Sequence, residues 1–262
     1  MLISFTSSLV HATGSIDVAH AAAYLVSGLL EIVMPIAVGI YFIRKYETSW
    51  RVLIIGGLMF VLSLVRIPLN QYVSMSIYYG NYGSYTFFLL AAFPSLTAGV
   101  FEETARYIAY TYFVKNHTMA NGLTLGDGHG GAESILIVGI NVLVIGYLLL
   151  TNPNAFPEYQ LLAILSSPVY LPFVGLYERL TALIVQISLS VMVLMTFRTG
   201  RKIYFAAAIL LHFLLDLFAT LTISYGIIYP ELIATGFAIG LGFWAYDKIR
   251  SEQSKSEGLT LS

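Results

Sequence analysis

The stretch YTFFLLAAFPSLTAGVFEETARYIAYTYFV, residues 85–114, decides the fold. It is long enough to cross a bilayer as a helix, and its charged residues are Glu102, Glu103 and Arg106. At the centre of a membrane helix each charge costs about 2.5–3.5 kcal/mol on insertion scales. Working outward, apolar segments of spanning length recur at 20–43, 52–70, 132–151, 173–197, 203–225 and 230–247. Pro94 makes the 85–114 segment either one kinked span or a short helix followed by a second. The fold class is therefore all-α: a polytopic membrane protein with seven transmembrane helices, or eight if that segment divides.

Composition agrees. The chain is 58% hydrophobic and only 10% charged, against about 25% charged in soluble domains. It has no cysteine, which excludes thiol nucleophiles and Cys-zinc sites. Residues 157–172 are apolar but hold Pro157, Pro168 and Pro172, which suits a re-entrant or interfacial segment. The first 19 residues lack Lys, Arg and a cleavage pattern, and read as a short extramembrane or interfacial leader. Residues 1–250 form a single transmembrane helical domain, and 251–262 a polar, disordered cytoplasmic tail.

Basic residues set an orientation. Arg44, Lys45, Arg51, Lys115, Arg198, Arg201, Lys202, Lys248, Arg250 and Lys255 all fall in alternate connections or after the last span. The positive-inside rule then puts the N-terminus outside and the C-terminus in the cytoplasm of a multi-pass cell-membrane protein. The other three, Arg66, Arg106 and Arg179, lie within or at the ends of spans, where Arg normally faces a partner or a wet cavity.

Counting from these anchors brings polar groups to one depth. Glu103 lies twelve residues before Lys115 and Gln186 twelve before Arg198, roughly 18 Å at a rise of ~1.5 Å per residue; His212 lies ten after Lys202, roughly 15 Å. In a hydrocarbon core of ~30 Å these three share a level near the middle. The run Gly126-Asp127-Gly128-His129-Gly130-Gly131 reads as a cytoplasmic loop, with Asp127 in solvent and His129 and Glu133 entering span four near its inner end. A site opening toward the cytoplasm collects all of them.

Spacing then limits what can cooperate. His129/Glu133 and His212/Asp216 are i,i+4 pairs, each on one helix face. Glu102 and Arg106 have the same spacing and can pair, which leaves Glu103, about 100° around the helix, to meet neighbouring His groups. A buried carboxylate there serves as metal ligand or as general base for water. His129 and His212 can hold a metal, with Glu133 or Asp216 as ligand or as acceptor orienting an imidazole. Glu31 suits helix–helix hydrogen bonding, and Glu178-Arg179 a structural ion pair. His-Glu-x-x-His and Gly-x-Ser-x-Gly are both absent, and an aspartyl dyad lacks a second intramembrane Asp beside Asp216.

At Phe101-Glu102-Glu103-x-x-Arg106, Gly128-His129-Gly130-Gly131-x-Glu133 and Leu211-His212-x-x-x-Asp216 the chain resembles the YhfC family of intramembrane metalloproteases. That family is grouped with the CAAX prenyl endopeptidases, the PrsW proteases and the gamma-secretase scaffold subunit. The segment from Glu178-Arg179-Leu180 to Leu189-Ser190-Val191 also looks like the family. The resemblance implies that the Glu pair, with Arg106, forms the catalytic wall and activates water. His129, Glu133, His212 and Asp216 would bind a metal, expected to be zinc, or the two His would stabilise an oxyanion. CAAX-type enzymes suggest Glu102 as base, whereas the spacing leaves Glu103 freer. Two departures stand out: in CAAX enzymes the Arg typically lies one residue further from the Glu pair, and relatives carry His where this chain has Gln186.

The expected function is endopeptidase cleavage of a membrane-associated peptide or protein within the bilayer, with no nucleic-acid partner. Two rivals belong to other classes. A non-catalytic scaffold or chaperone is favoured by Gln186. A proton- or metal-coupled transporter is disfavoured by the absence of matching broken-helix pairs in two halves.

Overall fold

The computed structural model describes residues 17–260, so most of the expected leader and the end of the expected tail lie outside the described residues. Among the described residues, seven helices are long and apolar enough to cross a membrane: Val18–Tyr46, Trp50–Gly80, Tyr85–Phe113, Met119–Thr151, Leu171–Thr199, Ile203–Tyr225 and Ile228–Glu252. In finer detail the elements are α1 (Val18–Tyr46), α2 (Trp50–Ser63), α3 (Arg66–Gly80), α4 (Tyr85–Ile108), α5 (Met119–Glu133), α6 (Ile140–Thr151), α7 (Glu158–Ser166), α8 (Leu171–Thr199), α9 (Ile203–Thr222) and α10 (Ile228–Thr260). Pro94 does not divide the third span; α4 is continuous and passes into a π-helical turn at Ala109–Phe113. The apolar 157–172 stretch holds the short, largely exposed α7. The last helix continues to Thr260, into the segment expected to be disordered.

Two spans carry informative irregularities. The second breaks between Ser63 and Arg66 because Pro68 has no N–H to return to the Leu64 carbonyl; the Ile67 N–H takes that carbonyl at 2.9 Å instead. Arg66 becomes the first residue of α3. In the fourth span a π-helical turn, Ser134–Gly139, begins directly after Glu133. Such turns are frequent at functional sites.

The chain divides into two compact units. The first holds the chain up to Met34 and Ser134–Arg179. There Asp17 caps α1, its Oδ1 accepting the His20 N–H at 3.1 Å. Pro35 frees the Glu31 carbonyl within α1, and Ser134 Oγ donates to it at 2.9 Å. Ser27 Oγ donates to the Pro172 carbonyl at 2.7 Å. Glu178 and Arg179 form the ion pair expected of them.

The second unit, Pro35–Glu133 and Leu180 onward, contains the main apolar core. Within it Leu183, Val185, Leu189, Val191, Val193 and Leu194 of α8 are all at least 97% buried, so this helix is enclosed on nearly every side. The pairs α2–α5 and α4–α9 pack most extensively. A Cβ on Gly128 would lie 2.0 Å from the Leu53 carbonyl oxygen, so α2 and α5 meet at backbone distance. Small residues at helix contacts permit that approach in membranes, where packing drives association.

Here the sequence expectation fails. Gly126–Gly131 is not a loop but the buried interior of α5, and Asp127 is 1% exposed rather than solvated.

Candidate functional site

All eight polar residues of the candidate site, with Arg66, lie in the second unit. Glycine again sets the spacing. A Cβ on Gly99, one turn before Glu103, would meet the Ile209 carbonyl oxygen at 2.7 Å, which lets α4 bring its carboxylates against His212 on α9. A Cβ on Gly130 would come within 2.7 Å of the Gln186 Cβ, which sets α5 directly against α8.

Glu102 is the focal acceptor. Its Oε1 accepts from Arg66 Nη2 at 2.6 Å. Around its Oε2 stand three nitrogen atoms: His129 Nε2 at 3.1 Å, Gln186 Nε2 at 3.2 Å and His212 Nε2 at 3.8 Å. Glu103 faces differently. Its Oε1 accepts from Arg106 Nη1 and from His212 Nδ1, the latter at 2.7 Å, while its Oε2 has no partner among the described residues. With Nδ1 held by a carboxylate, the His212 ring is oriented so that Nε2 faces Glu102 and, at 3.7 Å, Asp216 Oδ2. Gln186 joins the parts: its Oε1 accepts from Arg106 Nη2, and its Nε2 donates to Glu133 Oε2 at 2.6 Å. The Phe60 ring meets His129 edge-on at 5.3 Å.

Burial grades across this network. Glu103, Arg106 and His129 are fully enclosed, whereas the Asp216 side chain is 36% exposed and Glu133 and Arg66 are partly so. The cluster is therefore least enclosed on the Asp216 and Glu133 side.

The pairing differs from the expectation in one respect. Arg106 bonds Glu103 at i,i+3 and not Glu102 at i,i+4. Glu102 is held by Arg66, whose intramembrane position already called for a partner. The shared depth of Glu103, His212 and Gln186 corresponds to real proximity: His212 bonds Glu103 directly, and Gln186 reaches it through Arg106. Gln186, expected at this depth and set apart from relatives that carry His, contacts three charged side chains.

The family model for the YhfC intramembrane metalloprotease matches residues 30–243. The chain belongs to the YhfC family. A Bacillus subtilis (strain 168) relative, the uncharacterized membrane protein YhfC, is 34% identical over 222 residues, covering 74% of this chain and 82% of the relative. No solved structure matches. With its seven apolar helices and this relative, the chain is a multi-pass membrane protein.

The description of the YhfC family names a metal, and four residues here were expected to bind one. His129 Nε2 is bonded to Glu102, Glu133 to Gln186, and His212 Nδ1 to Glu103, while Asp216 faces His212 at 3.7 Å. Among the described residues no group of three or more His, Asp or Glu side chains is disposed to hold a metal ion. The donor set, as arranged, does not fit a zinc centre, which needs at least three ligands converging on one point.

Proposed function

We propose that this cluster is the water-activating centre of an intramembrane endopeptidase, with Glu102 as general base. The observation that supports this most directly is the ring of three side-chain nitrogens around Glu102 Oε2, 2% exposed in a membrane protein. A carboxylate in that position accepts a proton from a water that displaces one of these nitrogens from Oε2. The resulting hydroxide attacks the peptide carbonyl carbon. The oxyanion takes hydrogen bonds from the Gln186 amide or, with the His212 ring protonated on both nitrogens, from its Nε2–H, groups already oriented and largely shielded from solvent. Glu102 then returns the proton to the leaving nitrogen as the C–N bond breaks. Glu103 is a positioning residue here: it fixes the His212 ring through Nδ1 and neutralises Arg106. No step runs through a metal.

The substrate class follows from location: a peptide or protein segment held in or at the bilayer, cleaved at the level of Glu102. The basic connections favour a cytoplasmic opening in the cell membrane, N-terminus outside. Purified protein in vesicles, incubated with a library of membrane-associated peptides, tests the reading. Glu102→Gln is expected to reduce cleavage about 10²–10⁴-fold with little change in thermal stability, and His129→Ala to follow it. Cleavage at the wild-type rate by folded Glu102→Gln protein removes the proposal.

A second reading draws on Gln186, which links Arg106, Glu102 and Glu133 into one network suited to holding helices together. A scaffold of this kind gives no cleavage in the wild type, and the same substitutions lower stability or recovery of a membrane partner.

A further inference from the structure

A second site lies in the same unit and shares no residue with the carboxylate cluster. A cavity of about 400 Å³ is lined by α1, α5, α8 and α10, in the usual range of roughly 300–1,000 Å³ for ligand pockets. Its walls are apolar, built by Phe42, Leu123, Ile184, Ile187 and Ile249. Its rim carries two cations, Lys45 near the end of α1 and Arg250 on α10. Both are exposed. Lys45 Nζ donates to the Tyr41 hydroxyl at 2.5 Å and lies 5.0 and 5.4 Å from the Tyr41 and Tyr46 ring centroids, which fixes the ammonium at the mouth. An ammonium has three donors, so the bond to Tyr41 does not exhaust it.

An apolar slot opening from a membrane protein, with two cations where the helices leave the hydrocarbon, has the charge and polarity pattern of an anionic phospholipid. We infer that this groove binds one such lipid, its acyl chain along Phe42, Leu123 and Ile187 and its phosphate between Lys45 and Arg250. Basic pockets between transmembrane helices select anionic headgroups in this way.

Binding of phosphatidylglycerol and of phosphatidylcholine with identical chains, measured by native mass spectrometry on the full chain in detergent, tests it. Phosphatidylglycerol is expected to be retained preferentially, and the exposed pair Lys45→Gln/Arg250→Gln to weaken it about fivefold per cation removed. A Cβ at Gly242 would already lie 3.3 Å from Ile184 Cγ2, so Gly242→Leu narrows the slot and is expected to displace both lipids. Equal retention of the two lipids overturns the inference. So does undiminished phosphatidylglycerol binding by the double variant, or competition by glycerol phosphate without acyl chains.

Discussion

Replacing Gln186 with Leu removes a hub while nearly preserving volume. Three contacts disappear: Arg106 Nη2, Glu133 Oε2 at 2.6 Å and Glu102 Oε2 at 3.2 Å. Hydrogen bonds to charged groups contribute about 1.5–3 kcal/mol in soluble proteins, whereas side-chain bonds inside membrane proteins average nearer 0.6 kcal/mol. Arg106 keeps Glu103, Glu102 keeps Arg66 and His129, and Glu133 is partly exposed and recovers water. The expected loss is therefore about 2–4 kcal/mol, not the full sum at soluble values. At about 2–4 °C per kcal/mol for a chain of this size, the midpoint falls by roughly 4–16 °C. Thermal unfolding in a mild detergent, followed by tryptophan fluorescence, measures it. The cycle Gln186→Leu, Glu133→Leu and the double variant isolates the bond to Glu133, with a coupling beyond the additivity error of about 0.5 kcal/mol. An unchanged or raised midpoint, or additive effects in the cycle, refutes the view of Gln186 as the joint of the network.

Asp127 predicts the opposite sign: its two buried carboxylate oxygens have no partner among the described residues, so Asp127→Ala is expected to raise stability by about 1–3 kcal/mol in the same melting assay. A lowered midpoint means that the carboxyl is bound in the folded protein. Treatment with a zinc chelator is expected to leave peptide cleavage intact, because no three donors converge among the described residues; loss of activity restored by added zinc assigns the donors differently. At the start of α1, the His20 N–H bonded to Asp17 holds that carboxyl below the ordinary carboxylate range. Its folded value lies under its unfolded one, so the cap's stabilisation is present above about pH 4 and is lost as pH falls through the lowered value. Asp17→Asn keeps the cap, and melting curves of this variant between pH 3 and 6 are expected to lose that component.

Seven spans were legible because bilayer thickness demands long apolar runs; the described helices match most of the expected bounds within a few residues, but the second runs on to Gly80 and the fourth begins at Met119, well beyond the expected 70 and 132. The carboxylate cluster was legible for a related reason: a charge in hydrocarbon has few acceptable environments, so Glu102, Glu103, Arg106 and His212 had to find one another or water. Arg66 obeyed the same rule. Its particular partner was hidden because it depends on the break before Pro68, a local turn that hydropathy does not register. The i,i+4 preference likewise failed for Arg106, since a tertiary contact with Gln186 decides where its guanidinium points.

The misreading of residues 126–131 has a physical cause of wider use. Glycine lowers helix stability by about 1 kcal/mol in water relative to alanine, so a run with four glycines suggests a loop. Inside a bilayer an unpaired backbone is costlier than that, and the helix is kept. The same glycines then become contact surface: Gly128 meets the Leu53 backbone, Gly126 meets Ile187 and Gly130 meets Gln186. Because Gly126 and Gly130 are one turn apart, they present one face to α8, while Gly128 presents the other to α2. His129, between them, is fixed at its backbone by close neighbours on both sides and delivers Nε2 to Glu102 at 3.1 Å. A position made precise by glycine packing tolerates no added methyl. The glycine run that resembles disorder in the sequence is thus what holds the site's most buried imidazole in register.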